Sequence, residues 1–184
     1  MAEDLDTAEP DPASHRGIAV WLFILCAMVF AMVIIGGLTR LTQSGLSMVD
    51  WRPLTGWLPP LDEAQWRAGF ENYRQFPEYK ALNYGLELAE FKSIFWFEYV
   101  HRLWGRLIGL VFLLPFLYLL FRRRLTRELA PRLIVIFVLG ALQGVLGWYM
   151  VQSGLADRPE VSQYRLAAHL SAAVVIYGYM LWVA

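Results

Sequence analysis

The chain has 184 residues, 58% hydrophobic and 15% aromatic, and its 16 Lys and Arg balance its 16 Asp and Glu. That composition excludes an ordinary soluble domain, and the balanced charge gives no basic surface for nucleic acid. A single cysteine, Cys26, excludes an intramolecular disulfide and any C-x-x-C site.

Residues 1–16 carry Glu3, Asp4, Asp6, Glu9 and Asp11. A mitochondrial transit peptide is Arg-rich and poor in acid, and a cleavable secretory signal opens on a basic stretch. The segment therefore reads as a disordered cytoplasmic tail before a signal-anchor helix, in the inner (plasma) membrane of a bacterium. A transmembrane bundle is expected over 17–184. Its four spans are apolar runs of membrane-crossing length at about 17–38, 94–121, 133–151 and 166–184. The last run is still apolar at Ala184, with no polar cap or basic flank, which reads as the front part of a longer protein.

The first span ends in Gly36-Gly37-Leu38-Thr39-Arg40, a helix exit and turn that leaves Arg40 near the membrane surface. The loop 39–93 is too long and aromatic for a plain linker. Pro53, Pro59 and Pro60 break it early, and Asp62 can cap an amphipathic helix through Gln75 with Trp66, Phe70 and Tyr73 on one face. Such a helix suits the membrane interface. A second short helix is expected from near Leu86. The short loop after the second span holds Arg122, Arg123, Arg124, Arg127 and Arg132 against Glu128, so it is cytoplasmic by the positive-inside rule. The N-terminus is then cytoplasmic as well, the loop 39–93 is outside, and the second and fourth spans are parallel.

Ionisable groups inside a span point to function. Glu98, His101, Arg102 and Arg106 lie in the second span, and His169 lies in the fourth. By helical rise, both histidines fall roughly 5–12 Å below the outer surface. Gly105 and Gly109 follow His101 on its stripe, and Ala172 and Ala173 follow His169, leaving room for something flat. Two neutral imidazoles across a slot can hold haem iron. No further soft ligand suggests a structural zinc. Glu98 lies three residues before His101, where a desolvated carboxylate suits proton transfer, and the alternative is an i,i+4 pair with Arg102. Arg102, Arg106, Arg40 and Arg165 are candidates to hold haem propionates. Gly140, Gly144 and Gly147 read as helix packing, and Gln143 as an interhelical hydrogen bond with a secondary role in the haem pocket.

Glu90-Phe91-Lys92, Ile94-Phe95-Trp96, Glu98-Tyr99, His101-Arg102 and Gly105-Arg106-Leu107-Ile108-Gly109 together resemble the haem A synthase family of proteobacterial and mitochondrial type. So do residues 36–42, Ser44-Gly45-Leu46-Ser47-Met48, Asp50-Trp51 with Pro53, Gln143-Gly144, Leu146-Gly147 and His169-Leu170. The resemblance implies an inner-membrane protein of eight helices in two similar four-helix halves. It implies oxidation of the C8 methyl group of haem O to a formyl group, giving haem A for a terminal oxidase. It makes His101 and His169 axial ligands on the substrate side, places a haem b cofactor in the other half, and gives Glu98 a part in the oxidation. Haem O synthase, oxidase assembly machinery, an electron donor and a second copy of the chain are the implied partners. The chain carries four of the eight helices and lacks the cysteine pair that some relatives have in the first outer loop. Two alternatives stand beside the enzyme: a bis-histidine cytochrome b electron carrier, and a non-catalytic haem-handling or oxidase assembly factor.

Overall fold

A computed structural model describes residues 12–50, 56–156 and 161–184. The element order is α1 (Pro12–Leu41), α2 (Glu63–Tyr73), α3 (Pro77–Ala81), α4 (Leu88–Phe121), α5 (Leu129–Ala156) and α6 (Gln163–Val183). Among the described residues there is no strand. Four helices, α1, α4, α5 and α6, are long and apolar enough to cross a membrane, and the protein is a multi-pass membrane protein. The expected disordered tail lies outside the described residues as far as residue 11, and from Pro12 the chain is helical. Trp51 and Pro53 also lie outside them.

Each long helix starts before its apolar run, and at α4 and α5 local bonds that a hydropathy window does not see hold the first turn. At α4 the amide of Glu87 donates to Oε2 of Glu90 at 2.9 Å, and the helix runs unbroken from Leu88 through the span. The short helix expected to start near Leu86 and feed into the second span is the top of α4. The amide of Leu129 donates to Thr126 Oγ1 at 3.1 Å and opens α5. At α2, Asp62 Oδ1 accepts the Gln65 amide at 2.8 Å. The expected end near Gln75 is trimmed to Tyr73, and Pro77 starts the one-and-a-half-turn helix α3. Pro115 inside α4 removes one backbone bond, which neighbouring helices make tolerable in a span.

The helices form a ring. α1 packs on α4 and α6, and α5 packs on α6 and α4, so the parallel helices α4 and α6 stand across from each other. Two indoles clasp α1 to α4: Trp21 Nε1 donates to the Val111 carbonyl at 2.7 Å, and Trp104 Nε1 to that of Met28 at 2.9 Å. Two cores result. One fills the end of the bundle near the loop between α4 and α5 with Leu22, Leu25, Phe112, Phe116, Leu133 and Met180. The other seats α2 and α3 on the top of α4 through Trp66, Tyr73, Tyr79, Phe91, Phe95 and Tyr99. The outward faces keep Phe23, Phe30, Leu114, Val145 and Trp182 exposed, as suits helices solvated by lipid tails. His101 and His169 lie on the stretches of α4 and α6 between the two cores.

Candidate functional site

Glu98 is 2% exposed, in the third turn of α4. Its Oε2 accepts the Ser47 hydroxyl at 2.7 Å and the Met48 amide at 2.7 Å. Its Oε1 is paired with Nη2 of Arg102, which also donates to the Met48 carbonyl at 2.9 Å. An ionised carboxylate with three donors is a satisfied buried charge. The intrahelical pair with Arg102 is therefore present, and that guanidinium is turned to the carboxylate and the α1 exit turn.

His101 follows Glu98 by one turn. Its imidazole lies against α1, where a Cβ added to Gly36 would stand 3.2 Å from Nε2. His169 mirrors this on α6: a Cβ on Gly147 of α5 would stand 3.0 Å from Cε1. The room beside the histidines thus comes from glycines on the neighbouring helices. Below His101 on α4, a Cβ on Gly105 would stand 3.3 Å from Met32 Cε, and one on Gly109 would meet nothing within 4 Å, which leaves the space expected beside Gly109 open. Among the described residues neither imidazole has a hydrogen-bond partner, and His169 Nδ1 is buried. Gln143, one turn before Gly147, donates from Nε2 to the His169 carbonyl at 2.8 Å, the interhelical bond expected of it, while its buried Oε1 has no partner.

The remaining arginines are spread around the mouth. Arg106 lies with its guanidinium 5.6 Å from the centre of the Trp57 ring, and Tyr99 donates to the Trp57 carbonyl at 2.6 Å, tying that loop to α4. Arg165, one turn above His169, lies 4.8 Å from the Tyr149 ring. Arg40 is exposed in the last turn of α1. Among the described residues no group of three or more His, Cys, Asp or Glu could hold a bare metal ion. Two imidazoles on parallel helices, each set against a glycine of the neighbouring helix, are instead a donor set whose chemistry would suit a haem iron. Sequence reasoning did not find Ser47, the Met48 amide, Gly36 or Trp57 as site residues. Ser47 and Gly36 sit in turn-like Ser/Gly clusters whose only sequence signal is a helix exit.

A sequence model of the family described as cytochrome oxidase assembly protein matches residues 19–184. The chain belongs to that family. Within the family's curated proteins it is 58% identical over 184 residues to a haem A synthase of Paramagnetospirillum magneticum, covering 100% of this chain and 52% of that protein. It is 59% identical over 172 residues to a haem A synthase of Nitrosospira multiformis, covering 94% of this chain and 48% of that protein. To a haem A synthase of Parvibaculum lavamentivorans it is 55% identical over 180 residues, covering 98% of this chain and 52% of that protein. The chain thus spans about half the length of the family members it matches. No solved structure matches it.

Proposed function

We propose that this chain is the substrate-side half of a haem A synthase, which oxidises the C8 methyl group of haem O to a formyl group. The observation that carries the reading is the pair of imidazoles, without a hydrogen-bond partner among the described residues and each set against a glycine of the adjacent helix. The names of the relatives favour the enzyme over an electron carrier.

Haem O supplies the methyl group to be oxidised and the iron that the histidines ligate. His101 and His169 would hold the iron from two parallel helices. Glu98 holds a negative charge one turn above His101. That charge stabilises positive charge developing at the reacting carbon or receives a proton from it. Arg102 orients Glu98, while Arg106, Arg165 and Arg40 hold propionates at the outer mouth. Gln143 steadies α6 at the level of the ligand. A haem b cofactor belongs to the other half of the protein. The protein sits in the inner membrane of a bacterium with the arginine-rich loop and the N-terminus cytoplasmic. Its neighbours there are haem O synthase, oxidase assembly machinery, an electron donor and a second copy of itself.

The test is pigment extraction from membranes supplied with haem O. His101→Ala and His169→Ala are expected to stop haem A formation. Glu98→Gln is expected to keep haem bound while product falls by about a hundredfold or more. Undiminished haem A in all three variants overturns the assignment.

A further inference from the structure

The turn that leaves α1 is built more firmly than a helix exit needs to be. Ser44 is fully buried, Leu46 and Ser47 are each 2% exposed and Thr39 is 8% exposed, although the turn lies at the outer end of the bundle. Ser44 Oγ donates to the Thr39 carbonyl at 3.1 Å, and Thr42 Oγ1 and Ser44 Oγ are hydrogen-bonded at 2.7 Å. Leu46 is wedged against Gly154 of α5, where an added Cβ would stand 3.0 Å from its Cδ2. The turn is therefore held to α1 by hydrogen bonds and to α5 by packing before it reaches Glu98.

Ser47 has one proton to donate and three acceptors within reach: Glu98 Oε2 at 2.7 Å, the Ser44 carbonyl at 3.0 Å and the Ile94 carbonyl at 3.4 Å. The carboxylate is the shortest contact and the only charged acceptor, so it takes the proton. The Met48 amide reaches the same oxygen, and Arg102 ties the other oxygen to the Met48 carbonyl. One carboxylate oxygen is thus held directly by the turn and the other by Arg102 of the same helix, which the Met48 carbonyl in turn anchors, so side-chain rotation of Glu98 is restrained.

We infer that Ser47, together with the Met48 amide, is a positioning residue that fixes the carboxylate of Glu98 over the haem site. The inference rests on the reading of Glu98 under the proposed function. A side chain on a single helix keeps several rotamers, and a reacting group displaced by about 1 Å can lose about a hundredfold in rate. The turn restricts that freedom.

The experiment uses the whole protein with isotope-labelled glutamate and follows the infrared carboxylate band that Glu98→Gln abolishes. In Ser47→Ala that band is expected to shift and broaden, with haem content unchanged. Haem A formation is expected to fall about tenfold or more in kcat at constant KM. Ser153→Ala removes a hydroxyl that bonds only to the Met150 carbonyl at 2.9 Å, and it is expected to match wild type in every readout. A band unmoved in Ser47→Ala overturns the inference, as does wild-type kcat in that variant. Undiminished product in Glu98→Gln overturns the parent reading instead. The two failures separate because the band reports the clamp without turnover.

Discussion

Gly147 and Gly36 stand where a methyl group would press on an imidazole, 3.0 Å from Cε1 of His169 and 3.2 Å from Nε2 of His101. A ring ligand cannot yield by rotating a flexible tail, so the imidazole itself must move. Gly147→Ala is expected to lower the haem-to-protein ratio several-fold. Gly144→Ala, on the same helix with nothing within 4 Å of its added carbon, is expected to keep it. Equal haem content in the two variants would contradict the geometry. At this scale the two histidines were legible as ionisable residues in apolar runs, and Gln143 as an interhelical donor. The walls of the cleft were not. Sequence spacing relates Gly105 and Gly109 to His101 along one helix, whereas the residue that meets the ring lies across on α1. Arg102 shows the same limit: an i,i+4 pair with Glu98 was visible, but not that the Met48 carbonyl would complete it.

The outer helices form a unit with its own titrating group. Glu78 of α3 is 5% exposed. Tyr73 of α2 donates to its Oε2 at 3.0 Å, and Asn83 donates to the Tyr73 hydroxyl at 2.7 Å. Burial pushes the Glu78 carboxyl up to about 7, against the lowering effect of the Tyr73 bond, and the charge of Glu98 on α4 adds to the rise. Burial likewise pushes the Tyr73 hydroxyl up. The unfolded carboxyl releases its proton near its ordinary value of about 4.3, while the folded one holds it to about 7. Folding is therefore unpenalised below the unfolded value. Its stability falls as the pH rises through that window and levels off above about 7, with a total effect of at most about 4 kcal/mol. Limited proteolysis of α2 and α3 is expected to be slower at pH 5 than at pH 8, and Glu78→Gln is expected to abolish the difference. An unchanged pH dependence in that variant would contradict the account. The capping aspartate and the aromatic face made α2 readable beforehand. The five-residue helix α3 was not, because so short a helix shows no periodicity and is held by the packing of Tyr79 rather than by its own sequence.

At the scale of the whole molecule, the ring order makes α4 and α6 parallel neighbours across the bundle, and the two cores leave a layer between them for the histidines. The four spans and the arginine-rich loop were legible because hydropathy and charge are summed over many residues. His101 lies roughly 20 Å below the start of α4 and His169 roughly 9 Å below the start of α6. Depth counted from helix starts would separate them, because α4 rises above the bundle to carry α2. The central claim is that one haem iron bridges His101 and His169. The most direct measurement is the electron paramagnetic resonance spectrum of the haem-loaded protein beside His101→Gly and His169→Gly, each with and without added imidazole. A low-spin bis-histidine signal in wild type is expected, lost in either variant and restored by imidazole. Retention of the wild-type low-spin signal in either variant would contradict the claim.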